Sequence, residues 1–105
     1  MKPHLLLNLL HAAQERGLGL PRLIILLDLA MADGYRCRPT DLAHTCCLTT
    51  AAITGHVEWL VQKGWVVRVD SPSRNSYFAQ LTPTGAAQLL LVGITTEQIE
   101  TACAA

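Results

Sequence analysis

Thr49-Thr50-Ala51-Ala52-Ile53-Thr54-Gly55-His56-Val57-Glu58-Trp59-Leu60-Val61-Gln62-Lys63-Gly64-Trp65-Val66-Val67-Arg68-Val69 carries two periodicities, and the change from one to the other decides the fold. Thr49 is a good N-cap, because its side-chain oxygen can satisfy an unbonded N–H of a first helical turn. Ile53, Val57 and Leu60 follow at i, i+4 and i+7, one face of a helix running from Thr50 to about Lys63. Gly64 ends it, as a residue free to take the conformation a helix exit needs. The run then turns β-rich: Trp65–Asp70, the turn formers Ser71-Pro72-Ser73-Arg74-Asn75, and Ser76–Leu81. This is a hairpin.

Upstream, Pro39 opens a short helix through Cys47, with Asp41 in its first turn and Leu42, Ala43 and Cys46 as its buried stripe. Before it, Pro21 opens a helix to about Ala32, stopped by Asp33-Gly34. Leu23, Ile24, Leu27, Ala30 and Met31 give its apolar face. Residues 4–16 form a first helix on Leu6, Leu9, Leu10 and Ala13, closed by Gly17 and Gly19. Downstream, Thr82 caps a helix with Pro83 at its first position, reaching about Val92, and a short helix over 95–105 follows Gly93. The expected fold is mainly α with a small β-hairpin, a winged helix-turn-helix, with residues 1–105 as a single domain and its core in 20–92. Trp65 is expected in that core, and Trp59, off the buried stripe, against a neighbouring helix.

Composition narrows the function. The chain has 105 residues, 50% hydrophobic and 15% charged, which suits one packed core rather than a disordered tail. Eight basic residues offset eight acidic ones, so any affinity for nucleic acid must come from local clustering of cations. The apolar run Leu23–Met31 is too short to cross a bilayer and contains Asp28. The opening run Leu5–Leu10 is interrupted by Asn8 and followed by Gln14-Glu15-Arg16, so it reads as a helix rather than a leader. Cys37, Cys46, Cys47 and Cys103 match neither a disulfide framework nor a CxxC pair, which points to reduced thiols and a cytoplasmic setting. His44, Cys46, Cys47 and His56 lack the spacing of a metal site. No nucleophile–base pair, phosphate loop or paired acidic motif stands out, so neither a cofactor nor catalysis is expected.

Four stretches together resemble the MarR family of winged helix regulators. Arg38-Pro39-Thr40-Asp41-Leu42-Ala43 is similar to the opening of that family's helix-turn-helix. Ile53–Val66 is similar to its recognition helix and exit, and Leu81-Thr82-Pro83-Thr84-Gly85 to the Leu-Thr-x-x-Gly that follows its wing. Leu20–Leu27 is similar to its second helix, so the resemblance covers residues 20–92 in order. It implies a homodimeric, double-stranded-DNA-binding transcriptional regulator, often a repressor released by a small-molecule effector. Dimerisation would use the first helix and the C-terminal helices. The wing departs from the family's Asp-x-Arg, reading Ser73-Arg74-Asn75, and Gly55 stands where an Arg is frequent.

On this reading helix 50–63 enters the major groove and the wing, 70–76, reaches the minor groove or backbone. Thr50, Ala51, Thr54, Gly55 and Glu58 fall on the outer face of the helix, a small and nearly neutral surface suited to close approach. The candidate DNA contacts are Arg38, Thr49, Thr50, Ala51, Thr54, Gly55, Arg68, Arg74 and Asn75. Arg74 at the wing tip is foremost, since a narrow minor groove has enhanced negative potential. Cys37, between Arg36 and Arg38, is the candidate low-pKa thiol for a redox-sensing variant. The competing reading is a winged helix that binds another protein and has no DNA affinity.

Overall fold

A computed structural model describes residues 3–72 and 76–92. The elements are α1 (Pro3–Glu15), α2 (Leu20–Met31), a 3-10 turn (Asp33–Tyr35), β1 (Arg36–Cys37), α3 (Pro39–Cys46), α4 (Thr50–Gln62), β2 (Val66–Asp70), β3 (Tyr77–Leu81) and α5 (Pro83–Leu91). The start signals act where the sequence places them. Proline occupies the first turn of α2, α3 and α5, where its missing N–H costs no helical bond. Thr49 Oγ1 accepts the Ala52 N–H at 3.2 Å, and Thr82 Oγ1 accepts the Gly85 N–H at 3.0 Å.

α2 is the central pillar, touching α1, α3, α4, α5, β1 and β3. It therefore buries Leu23, Ile25, Leu26 and Leu29, while Ile24, Leu27 and Ala30 are half-buried and Met31 is exposed. The broad face expected from spacing includes Leu23 but misses Ile25, Leu26 and Leu29, because a helix with neighbours on most sides buries more than one face. Leu42 of α3, Ile53, Val57 and Leu60 of α4, and Val66 and Ala79 of the sheet complete the centre of the core.

Between α3 and α4 the chain turns through Cys47 in the left-handed conformation (φ 56°, ψ 40°). Its N–H bonds the His44 carbonyl, and the Leu48 N–H closes on Ala43 O at 3.0 Å, so α3 ends one residue earlier than the sequence suggests.

The expected hairpin is present as β2 and β3, paired antiparallel from Val66↔Leu81 to Asp70↔Tyr77. A third strand was not expected. β1 pairs β3 through Arg36↔Gln80 and Cys37↔Ala79, giving the order β1-β3-β2.

One joint closes the hairpin at its root. Thr82 Oγ1 donates to Gly64 O at 2.7 Å, and the Thr82 N–H bonds Trp65 O at 3.1 Å. Gly85 is buried against the same carbonyl: a Cβ there would lie 2.1 Å from Trp65 O. The exit of α4 and the entry of α5 are thus a single hydrogen-bonded knot. Gly64, at φ 77°, supplies the left-handed residue that turns the chain into it.

Candidate nucleic-acid interface

α4 is two-faced as its spacing predicts. Ile53, Val57 and Leu60 are fully buried, and Thr50, Ala51, Thr54, Gly55 and Glu58 are exposed. A Cβ at Gly55 would meet nothing within 4 Å, so no packing inside the chain requires glycine there. Thr49, Thr50 and Ala51 are exposed at the helix N-terminus, where backbone N–H groups and the helix dipole favour an anion. The Thr54 hydroxyl donates to Thr50 O at 3.0 Å, which leaves oxygen lone pairs and a methyl as its means of contact.

The cations beside this face are engaged. Arg68 of β2 ion-pairs with Glu58 of α4 and lies over the Tyr77 ring at 5.1 Å. Both partners are exposed, at 40% and 52%, so water screens the pair and it remains accessible to a competing anion. Arg36 and Arg38 both stack on Phe78, at 4.9 and 5.2 Å. The expected candidates Arg74 and Asn75, Cys103 and the helix over 95–105 lie outside the described residues.

Cys37 corrects an expectation. Flanking arginines in sequence suggested an electropositive thiol. In a strand, however, neighbours i±1 point to the opposite face, and Arg36 and Arg38 lean on Phe78 instead. Burial, then Asp28 and Asp41, push the Cys37 thiol up to about 11. Cys46 is raised in the same way, by burial first and then by Asp28 and Cys47. Among the described residues no group of three or more His, Cys, Asp or Glu can hold a metal ion, and no helix is long and apolar enough to cross a membrane.

The sequence missed a cluster behind α4. Arg22 of α2 lays its guanidinium on the Trp59 ring at 4.0 Å, donates from Nε to His56 Nδ1 at 3.3 Å, and donates from Nη1 to Gly17 O at 3.0 Å. Trp59 is half-buried, as expected for a residue off the stripe. It meets Trp65, which is half-buried rather than core, edge-on with centroids 5.6 Å apart. Lys63 approaches the same ring at 5.2 Å. Only this last contact has a local signal, the i,i+4 spacing from Trp59. Arg22 and His56 are 34 residues apart and nothing in either neighbourhood announces the pair.

On α1, Leu5, Leu6 and Leu7 are exposed, and so are Leu90 and Leu91 at the end of α5.

Neither a protein-family model nor a curated protein sequence matches the chain. Solved structures do. Sco3205 of Streptomyces coelicolor, a MarR family transcriptional regulator in complex with DNA, superposes with a TM-score of 0.75 at 26% identity, over 90% of this chain and 69% of that one. NadR in complex with 4-hydroxyphenylacetate gives 0.73 at 22% identity, over 94% and 67%. Wild-type MarR of E. coli gives 0.68 at 23% identity, over 90% and 80%. The order of elements, the three-stranded sheet and these superpositions agree: the chain has the winged helix-turn-helix fold seen in MarR-type regulators.

Proposed function

We propose that the chain is a sequence-specific, double-stranded-DNA-binding transcriptional regulator, a cytoplasmic repressor that works as a homodimer. The observation that carries this reading is the outer face of α4. It is exposed, built from small residues with open space around Gly55, and capped by Thr49 at the end that favours phosphate. α4 lies in the major groove, with Thr50, Ala51, Thr54 and Gly55 nearest the bases. Thr49 and Arg38 hold the backbone, Arg68 joins them when phosphate displaces Glu58, and the wing residues Arg74 and Asn75 reach the flanking groove. A second copy covers the exposed leucines of α1, and the two-fold places half-sites ~34–36 Å apart. The complexes of Sco3205 with DNA and of NadR with a small aromatic acid support a DNA target and a small-molecule effector.

Selection of bound fragments from random duplex DNA, followed by a salt titration, tests the proposal. The expected outcome is a pseudo-palindromic site whose affinity falls steeply with salt, with Arg74→Ala lowering the slope by about one. Retention of no duplex at low salt overturns it. That result would favour a protein-binding winged helix, a reading supported by zero net charge and by Glu58 occupying Arg68.

A further inference from the structure

We propose that Arg22 is a positioning residue for the recognition helix, and that it holds α4 only while His56 is neutral. This rests on the DNA-binding reading above for its functional consequence, but the clasp itself can be tested without DNA.

The geometry is a three-point grip. One guanidinium takes the Gly17 carbonyl at the α1–α2 turn, the His56 imidazole and the Trp59 ring. Gly17 sits at φ 79°, and a Cβ there would be 3.0 Å from the Trp59 ring, so this turn and α4 are in close register. His56 and Trp59 project from the inner flank of α4, beside the buried stripe of Ile53, Val57 and Leu60. The grip therefore fixes the rotation of α4 about its axis, and with it the aim of Thr50, Ala51, Thr54 and Gly55 on the other side.

The grip is conditional because of what each atom can do. Arg22 Nε can only donate, so His56 Nδ1 must accept, which requires the neutral ring. A proton on Nδ1 turns the acceptor into a donor and sets two cations against each other. The groups around His56 reinforce this. Arg22 comes from α2, and Lys63 lies over Trp59 on α4 itself. Glu58 of α4 is occupied by Arg68 of β2, and α3 presents the Cys46 thiol, which is turned to the Pro21 carbonyl. Among the described residues no carboxylate bonds His56 to welcome the proton. Burial, and then Arg22, hold the His56 pKa below its ordinary 6.5. The unfolded chain thus takes up this proton first. The contribution of the clasp is complete above 6.5 and is lost as pH falls toward the lowered value.

The experiment compares the full chain with His56→Asn, whose amide oxygen can accept from Arg22 without titrating, and with Arg22→Met. Tryptophan emission and the urea midpoint are followed from pH 7.5 to 5, together with affinity for a selected duplex. In the unaltered chain, affinity at pH 5 is expected to drop roughly three- to tenfold relative to His56→Asn, the net worth of one ordinary hydrogen bond. Emission and midpoint should shift in the same range. His56→Asn should hold a nearly flat profile, and Arg22→Met should be weaker at neutral pH and insensitive to acid. General electrostatics predicts the opposite sign, since a chain that takes up protons becomes more positive and binds DNA more tightly. Superimposable pH profiles for the unaltered chain and His56→Asn overturn the proposal. If no duplex binds at any pH, the DNA reading fails, and emission and midpoint alone decide whether the clasp exists.

Discussion

The outer face of α4 and the knot at the root of the hairpin make opposite use of their residues. The knot is where the sequence is most recognisable: Lys63-Gly64-Trp65 and Leu81-Thr82-Pro83-Thr84-Gly85 each stand out. Their residues are spent on each other, Thr82 on Gly64 and Trp65, and Gly85 on the Trp65 carbonyl. The outer face of α4 has no such signature. Threonine, alanine and glycine there are exposed, with open space around Gly55, which is what a surface awaiting a partner requires. The motif that identifies the architecture is scaffolding, and the surface that would carry specificity is the plainer one.

Substitutions can break that contrast. The largest effect is expected at Gly85→Ala. Its methyl would collide with backbone rather than with a side chain that can rotate away, so stability should fall by about 3 kcal/mol, read from the urea midpoint. A loss below about 1 kcal/mol would mean that the knot is slack. Thr82→Val removes the α5 cap and the bond to Gly64 together and should cost about 2 kcal/mol, without changing which duplex sequences are preferred. A changed preference would place Thr82 in the interface instead.

Gly55→Ala sharpens the comparison from the other side. With open space around the new methyl, α4 should gain about 1 kcal/mol of stability. Duplex affinity should nevertheless fall, because the added group stands between the helix and the groove. A more stable variant with unchanged affinity would remove Gly55 from the interface. The smallest effect is expected at Cys37. With its thiol near 11, thiolate at pH 7.5 is roughly a hundredfold scarcer than the ordinary value of 9.0 allows. Alkylation followed by mass spectrometry should label exposed Cys47 well before Cys37. Faster labelling of Cys37 would revive the redox reading.

Most helices were legible because their signals are local. Pro21, Pro39 and Pro83 mark starts, Thr49 and Thr82 cap, and Ile53, Val57 and Leu60 point one way. β1 was not, since two residues carry no periodicity and their pairing with Gln80 and Ala79 is set by tertiary structure. The buried faces of α2 were misjudged for a related reason: a helix apolar nearly all round does not say which side is innermost. At the site, the face of α4 could be read as whatever its buried stripe leaves over. The partners of the cations could not. Glu58 reaches Arg68 only because the chain doubles back through Gly64, and Cys37 is separated from its arginine neighbours by the pleat of the strand.

The strand order β1-β3-β2 has one more consequence. It leaves β2 at the rim of the sheet, with Val66, Val67 and Val69 in a run broken only by Arg68. Rim strands of this composition invite pairing with another chain, and a charge in the middle is a common deterrent. Arg68 therefore also guards against unwanted strand addition. Exchanging it for an apolar residue would give four consecutive β-formers on an open rim, a template for aggregation as the chain emerges and folds.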